Sequence, residues 1–189
     1  MFAIGSAFFA TATVPGFPAW AGAGAANFLC FVGSFFFTTA AWMQLAQATG
    51  SDHSPAERAS AAVQFVGTLL FNLGTGASVL AHAVTAERRY VWTPDAVGSS
   101  AFLLSGVLGF VAVTATVGLF ELRSRDWWAS AINLIGCVAF GVSAIAAFVR
   151  VTGVTADARL ANLGTFVGAL CFLAAALMAL PRRLTRPGG

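Results

Sequence analysis

The stretch that decides the fold is residues 25–47, AANFLCFVGSFFFTTAAWMQLAQ, in which no side chain carries a charge. A helix that crosses a bilayer needs about 20 mostly apolar residues, and this stretch supplies them without interruption. It lies inside a longer segment, residues 1–51, that is also free of charged residues. The pattern predicts a membrane-spanning helix that is preceded by further membrane-embedded chain.

The composition of the whole chain is typical of a membrane protein. Of its 189 residues, 58% are hydrophobic and 9% are charged, and the mean hydropathy is +0.82. Soluble domains carry roughly 25% charged residues, because a hydrated surface needs them. The figures exclude a soluble enzyme and a disordered tail. They also exclude a nucleic-acid-binding domain, because the net charge of the chain is only +3.

The charged residues divide the chain into five charge-free segments: residues 1–51, 59–86, 96–120, 127–149 and 160–181. Each of the four later segments is long enough for one spanning helix, and the first is long enough for two. A Pro-Gly-Phe-Pro turn that begins at Pro15 and is followed by Trp20 separates these two. We therefore predict an all-α, polytopic transmembrane helical bundle of six spans, forming one domain over residues 1–189.

The first of the six spans is short. It would run from about Met1 to Val14, so the bilayer would thin locally or the helix would continue past Pro15 as a kinked turn. A five-span protein and a cleaved signal peptide are the alternatives. The segment lacks a positively charged n-region, which argues against the signal peptide.

The placement of arginine predicts the orientation. With a cytoplasmic amino terminus, the inside loops and tail hold Arg58, Arg123, Arg125, Arg182, Arg183 and Arg186, and the outside loops hold Arg88, Arg89, Arg150 and Arg159. Six arginines on the inside against four on the outside favour an orientation with both termini in the cytoplasm. Abundant Ala and Gly, with Arg and no Lys, suit a GC-rich bacterial genome, so we expect a multi-pass protein of the bacterial cytoplasmic membrane.

Most predicted spans carry a glycine followed four residues later by phenylalanine. Three copies read Phe-Val-Gly-x-x-x-Phe, and their glycine and second phenylalanine are Gly33 and Phe37, Gly67 and Phe71, and Gly168 and Phe172. Looser copies are Gly5 to Phe9, Gly106 to Phe110, and Gly136 to Phe140. Close approach at small residues holds helices together in lipid, so we interpret the motif as helix packing, with ligand binding as the alternative.

The copies recur at nearly constant offsets. Gly5 to Gly106 is 101 residues, Gly33 to Gly136 is 103, and Gly67 to Gly168 is 101. These offsets predict a tandem three-helix repeat, with repeat A over about 1–84, repeat B over about 98–181, and a short basic tail at 182–189. Because three is odd, the second copy would be inverted, which gives a 3+3 inverted repeat as in many secondary transporters. Convergence of a helix-packing motif would also explain the offsets.

Gly33-Ser34-x-x-Phe37 and its counterparts resemble the glycine–serine helices of the YrhK-like family of small bacterial membrane proteins. The resemblance is a short motif that covers two of the six predicted spans. It implies a membrane protein with no catalytic residues to carry over.

The third predicted span carries the clearest polar stripe. Its members fall near one helical face, at spacings of three or four residues: Gln64, Thr68, Asn72, Thr75, Ser78 and His82. A rougher version of the same stripe on the second span holds Asn27, Ser34, Thr38 and Gln44. Polar groups in lipid need partners, so both faces should point into the bundle. We interpret them as interhelical hydrogen bonding, with a hydrated path for a polar solute as the alternative.

The residue types for catalysis and cofactor binding are missing from the predicted spans. No Asp, Glu or Arg lies in the middle of any span, and Glu87, Asp95, Glu121 and Asp126 are expected at the interfaces. The absence of Lys excludes a Schiff base, the histidines are too few for a transmembrane haem, and Cys30, Cys137 and Cys171 form no metal-ligand pattern. We predict no catalytic, metal or cofactor-binding residues.

The loop with the strongest contact chemistry holds Arg88, Arg89, Tyr90 and Trp92. Arginine and aromatic residues bind lipid headgroups and also anchor protein interfaces, and headgroups are the simpler partner. We predict a non-enzymatic accessory or structural subunit that works through helix packing and through contacts with lipid, with other membrane subunits or with further copies of itself. The alternative is a small channel or transporter for a polar solute or ion, lined by the second and third helices.

Overall fold

The computed structural model describes residues 1–50, 52–80 and 83–180, and this part of the chain contains helices and no β-strand. The helices are α1 (Phe2–Thr13), α2 (Phe17–Ala21), α3 (Ala23–Ala48), α4 (Pro55–Leu80), α5 (Val84–Ala86), α6 (Thr93–Val117), α7 (Arg125–Ala146) and α8 (Ala158–Met178). A π-helical segment, Glu87–Trp92, joins α5 and α6 into one continuous helix. Five helices, counting this continuous one once, are long and apolar enough to cross a membrane. The chain is therefore an integral membrane protein of the all-α class.

The predicted first span is present as the short helix α1. Its 12 residues rise by about 18 Å, whereas the hydrocarbon core of a bilayer is about 30 Å thick. α1 nevertheless packs against both α3 and α8. The bundle thus contains five helices of spanning length and one shorter apolar helix.

Local sequence sets the ends of the helices at the loops. Ser54 and Glu57 cap α4 reciprocally: the Ser54 amide donates to Glu57 Oε2 (2.6 Å), and the Glu57 amide donates to Ser54 Oγ (3.2 Å). Ser124 accepts from an amide in the first turn of α7, and Asp157 does the same for α8. Gly118 ends α6 with φ of 107°, a conformation that favours glycine. These caps keep the connections short.

Helices α1, α3, α4, α6, α7 and α8 form a closed ring. Each packs against its neighbour in the chain, and α8 packs back against α1. Neighbours run antiparallel: Asn27 near the start of α3 donates to the Ser78 carbonyl near the end of α4, and Asn162 near the start of α8 donates to the Thr13 carbonyl at the end of α1. The face holding the first residues of α1, α4 and α7 is called the vestibule face, because a cavity opens through it. The opposite face is called the closed face.

The order of helices around the ring differs from the order that a 3+3 inverted repeat predicts. A two-fold axis in the membrane plane reverses the direction in which a three-helix unit runs around a ring. Here α6, α7 and α8 continue in the same direction as α1, α3 and α4, since the ring closes in chain order. The unit that repeats in space is an antiparallel hairpin. It occurs three times: hairpin I is α1 and α3, hairpin II is α4 and α6, and hairpin III is α7 and α8.

The Gly-x-x-x-Phe motif joins the two helices of each hairpin. In hairpin II, the Phe102 ring lies 2.8 Å from where a Cβ on Gly67 would be, and the Phe71 ring lies 2.8 Å from the same position on Gly98. The reciprocal pairs in the other two hairpins are Gly5 with Phe37, Gly33 with Phe9, Gly136 with Phe172, and Gly168 with Phe140. Each phenylalanine ring therefore fills the space that a glycine leaves on the partner helix.

In α6, the copy of the motif that reaches the core is Gly98 to Phe102 and not the predicted Gly106 to Phe110. Gly106 lies against Cys137 of α7, and Phe110 packs on Trp127 at a centroid distance of 5.9 Å. An offset of about 101 residues points to Gly106, because it assumes a three-helix repeat. The local sequence Gly98-Ser99-x-x-Phe102 matches Gly33-Ser34-x-x-Phe37 and is the better guide.

The six motif phenylalanines meet at the centre of the ring in two layers. The first layer has one residue from the first helix of each hairpin, with ring centroids 5.8–6.4 Å apart: Phe9, Phe71 and Phe140. The second layer has one residue from each second helix: Phe37, Phe102 and Phe172. Phe172 lies 6.1 Å from both of its partners in that layer. All six side chains are buried, and together they are called the phenylalanine plug.

Candidate functional site

A cavity of about 640 Å³ opens on the vestibule face and reaches the phenylalanine plug. Residues from all six ring helices line it, so it follows the axis of the ring. Phe37, Phe102 and Phe172 of the second plug layer line the cavity, whereas the first layer does not. The second layer is therefore the floor of this cavity, which is called the vestibule.

The wall just above the floor carries two amide side chains at equivalent positions. Gln64 precedes Phe71 by seven residues, and Asn133 precedes Phe140 by seven, which places each two helical turns from the plug. The corresponding residue of hairpin I is Phe2. All three line the vestibule, and both amides are half-buried. Gln64 and Asn133 are called the amide level.

Two carboxylates stand two further turns outward, again at equivalent positions. Glu57 precedes Phe71 by fourteen residues, and Asp126 precedes Phe140 by fourteen. Both line the mouth of the vestibule and are exposed. The described lining at the mouth includes these two carboxylates and no arginine side chain. Glu57 and Asp126 are called the acidic rim.

A hydroxyl cluster holds Gln64 in place. Ser60 Oγ and Ser105 Oγ lie 3.1 Å apart, each within 2.9 Å of the other residue's carbonyl oxygen. Gln64 Oε1 lies 3.1 Å from Ser105 Oγ and shares the single proton of that hydroxyl with the Ser60 carbonyl. Both serines are buried, so the cluster satisfies polar groups that would otherwise be unpaired between α4 and α6. The bond to Ser105 orients the Gln64 amide with its oxygen toward α6.

The second amide is oriented from within its own helix. Asn133 Nδ2 donates to Cys137 Sγ one turn later, at 3.9 Å. Cys137 is a free thiol that packs against Gly106 of α6 and also lines the vestibule. This contact engages the Asn133 nitrogen and leaves Asn133 Oδ1 without a protein partner in the described chain.

Most residues of the predicted polar path lie at the contact between α3 and α4 and not along the vestibule. Asn72 Nδ2 donates to Thr38 Oγ1 (2.9 Å), and Thr75 Oγ1 donates to Ser34 Oγ (3.2 Å). These bonds correspond to the interhelical hydrogen bonding that the stripe predicts. They join hairpin I to hairpin II.

The remaining members of that stripe divide between the helix backbone and the vestibule. Thr68 and Ser78 each donate to a carbonyl three residues earlier in α4. Gln64 of this stripe and Gln44 of the α3 stripe line the vestibule, and His82 lies outside the described residues. The vestibule therefore runs between all three hairpins, whereas the sequence predicts a path between the second and third helices and their repeat partners.

The predicted headgroup-contact residues lie on the closed face. Trp92 Nε1 donates to the Ala144 carbonyl of α7 (2.9 Å), and the Arg88 guanidinium lies 5.1 Å from the centroid of the Phe148 ring. Both side chains thus pack on the end of α7. Arg89 and Tyr90 are exposed, and they are the members of this set that remain open to lipid or to a partner.

The sequence predicts Asp95 outside the spans, at an interface. In the structure it lies inside the continuous helix Val84–Val117. The π-helical segment before it extends α6 beyond the predicted span, so Asp95 lies two turns from Phe102 on the closed side of the plug. Its backbone nitrogen lies 3.5 Å from where a Cβ on Gly74 would be. The glycine lets α4 and α6 approach closely at this point.

Several vestibule residues are absent from the sequence-based prediction: Gln47, Ser60, Ser105, Asp126 and Asn133. They lie on four different helices, so no stripe on a single helix identifies them. The signal that identifies some of them is the register to the motif phenylalanines. Counting back by sevens from Phe71 and Phe140 reaches both amides of the amide level and both acids of the rim.

In comparisons with known proteins, no family model matches the chain, and no curated protein and no solved structure is significantly similar to it. The function therefore has to be argued from the ring, the vestibule and the plug.

Proposed function

We propose that the protein is a small channel or transporter that admits a polar solute through the vestibule and controls its passage at the phenylalanine plug. The observation that carries this proposal is the axial position of the vestibule, which ends on the plug within a closed ring of six helices. Membrane pathways are commonly gated by apolar constrictions that exclude water. A vestibule that carries polar side chains above an apolar floor is an arrangement that suits such a gate.

The packing of the plug supports opening between the hairpins. Within each hairpin, the two motif rings have centroids 4.8–5.4 Å apart. Between hairpins, the centroid distances are 5.8–6.5 Å. The closer pairs are also fixed by the reciprocal glycines. Small movements of whole hairpins would therefore separate the plug before they disturb any single hairpin.

The test is solute flux into proteoliposomes after the floor of the vestibule is enlarged. Phe37→Ala removes one of three floor rings, and we expect flux of small polar solutes to rise about tenfold, equivalent to about 1.4 kcal/mol of barrier. Phe37→Leu keeps most of the side-chain volume and serves as a milder variant if the alanine variant does not fold. Phe120→Ala is the matched control, because Phe120 is 80% exposed and lies outside the vestibule.

Helical content and a single peak in size-exclusion chromatography would establish that each variant is folded. Flux that equals the protein-free background in the wild type and in both Phe37 variants would contradict the proposal.

A second candidate is the accessory subunit that the sequence predicts. The exposed pair Arg89 and Tyr90 favours it, since arginine and tyrosine are common interface anchors. Purification in mild detergent followed by mass spectrometry would test it: a stoichiometric partner would support the accessory role. A homo-oligomer that passes solute in liposomes would support the channel instead.

Residence in a bacterial cytoplasmic membrane, with both termini cytoplasmic, is part of the same proposal. The vestibule face carries Arg58, Arg123 and Arg125, so it would open toward the cytoplasm. The Gly-Ser-x-x-Phe motif that resembles the YrhK-like family covers two helices. If the chain is related to that family, we expect the whole antiparallel hairpin to be the shared unit. Reporter fusions at the two termini test the orientation.

A further inference from the structure

The chemistry of the amide level offers a criterion for the solute. Gln64 and Asn133 come from different hairpins, at equivalent distances from the plug, and both line the vestibule. Gln64 Oε1 accepts from Ser105, and Asn133 Nδ2 donates to Cys137. The groups left without a protein partner in the described chain are the Gln64 Nε2 donor and the Asn133 Oδ1 acceptor. Uncharged amide N–H donors and an uncharged amide oxygen acceptor therefore remain for a solute.

No charged side chain of the described lining lies near these two groups. Between the acidic rim and the plug, every described side chain that lines the vestibule is uncharged. An ion that entered this section would lose water and gain no opposite charge, which is costly in an apolar environment. An uncharged solute loses only hydrogen bonds to water, and the amide level can replace them.

The acidic rim adds a second criterion. Glu57 and Asp126 are exposed at the mouth, and the described lining contains no arginine. A solute therefore passes two carboxylates and no guanidinium group of the described lining before it reaches the uncharged section, which disfavours ions of either sign.

We propose that the solute of this pathway is a small uncharged molecule that carries both a hydrogen-bond donor and an acceptor, of the amide and urea class. The inference rests on the proposed function, because it assigns a substrate class to the same vestibule. Gln64 and Asn133 are the residues that bind the solute above the plug. The cavity of about 640 Å³ easily holds a molecule of this size.

The experiment compares three planar probes of similar size that differ in charge: urea, guanidinium and nitrate. Stopped-flow light scattering measures their entry into proteoliposomes that contain the full chain. We expect protein-dependent flux of urea, and flux of guanidinium and nitrate close to the protein-free background. Gln64→Leu and Asn133→Leu should each lower urea flux about tenfold, because each removes one hydrogen bond to the solute.

Asn27→Leu is the matched control for these two variants. Asn27 donates to the Ser78 carbonyl between α3 and α4 but does not line the vestibule, so its loss removes an interhelical amide bond outside the site. Urea flux through folded Asn27→Leu should equal that of the wild type. If all three variants lower urea flux equally, the amide level does not bind the solute.

The remaining outcomes separate this inference from the proposed function. Guanidinium or nitrate flux above urea flux would overturn the uncharged-solute inference and leave a gated pathway in place. If none of the three probes enters faster than background, even with Phe37→Ala, both the inference and the proposed function are overturned.

Discussion

The contacts within the hairpins and the contacts between them differ in how closely the motif phenylalanine rings pack. Within a hairpin, two glycines and two phenylalanines interlock, as Gly67, Phe71, Gly98 and Phe102 do in hairpin II. Between hairpins I and II, polar side chains meet, with Asn72 donating to Thr38. The ring centroids are also farther apart between hairpins than within them. The difference indicates that the hairpin is the rigid unit and that the contact between hairpins is the adjustable one.

This difference has a physical cause. In lipid no hydrophobic effect drives helices together, so close packing at small residues supplies most of the attraction. A ring seated on a glycine cannot slide without a clash, since the space is closed on several sides. Single interhelical hydrogen bonds contribute only about 0.6 kcal/mol on average and can exchange partners.

The largest expected effect comes from disulfides that lock one kind of contact or the other. With the three native cysteines replaced by alanine, Ser34→Cys with Thr75→Cys would join hairpin I to hairpin II, where the two hydroxyls lie 3.2 Å apart. If the plug opens between hairpins, oxidation should abolish urea flux and reduction should restore it. Flux is measured before and after oxidation and again after reduction.

Ser143→Cys with Thr165→Cys is the matched control for the disulfide experiment. These hydroxyls lie 2.7 Å apart within hairpin III, so the disulfide should form and leave flux unchanged. Equal loss of flux in both double variants would show that the hairpins are not the moving units.

The next largest effect is expected at the plug. Phe140 is 3% exposed and packs against rings of all three hairpins, including Phe9, Phe71 and Phe172. Phe140→Ala should lower the free energy of unfolding by about 3 kcal/mol, at the low end for phenylalanine because the cavity forms inside a bilayer. Denaturant titration in mixed micelles measures it. Phe120 is exposed, so Phe120→Ala should change the free energy of unfolding little. If both variants lose the same free energy of unfolding, the phenylalanine plug is not the core of the bundle.

A smaller loss is expected when a methyl group is added to a motif glycine. A Cβ on Gly136 would lie 2.8 Å from the Phe172 ring and 3.0 Å from Cys171 Cβ. Gly136→Ala should therefore lower the free energy of unfolding by about 1–3 kcal/mol. Gly141 lies on the same helix with no neighbouring atom within 4 Å of its Cβ position, so Gly141→Ala should be neutral or stabilising. If Gly136→Ala and Gly141→Ala lower the free energy of unfolding equally, the close packing of Phe172 on Gly136 does not account for the loss.

The smallest effect is expected at the polar contact between hairpins. Asn72→Leu removes the bond to Thr38, but Asn72 Oδ1 is buried without a partner, so part of the loss is offset. We expect Asn72→Leu to lower the free energy of unfolding by about 0.6 kcal/mol and to leave urea flux unchanged. A loss as large as that of Gly136→Ala would remove the distinction between the two kinds of contact.

Some features of the fold follow from short stretches of sequence. The charge-free segments predict the five spanning helices and the short helix before them, because charge and length alone decide what can remain in a bilayer. The glycine and phenylalanine copies at Gly33, Gly67 and Phe172 predict close helix packing. The repeat period is harder to obtain, since one motif on every helix is compatible with both two-helix and three-helix units.

The candidate site is less accessible to sequence reasoning. The stripe on α4 contains one vestibule residue, Gln64, beside several residues that bond to α3. Asn133 and Ser105 stand on helices where no stripe is evident. A stripe shows that a face is buried, but it does not distinguish a neighbouring helix from a water-filled space.

The sequence by itself determined that this protein is a helical membrane protein and that glycine and phenylalanine hold its helices together. Both conclusions depend on composition and on spacing along one helix, which are local properties. Only the tertiary structure decided that the helices close into a ring of three hairpins and that Gln64 and Asn133 line one vestibule above the plug. Ring closure requires α8 to pack against α1, and no local pattern specifies a contact between residues as distant in the chain as Thr13 and Asn162.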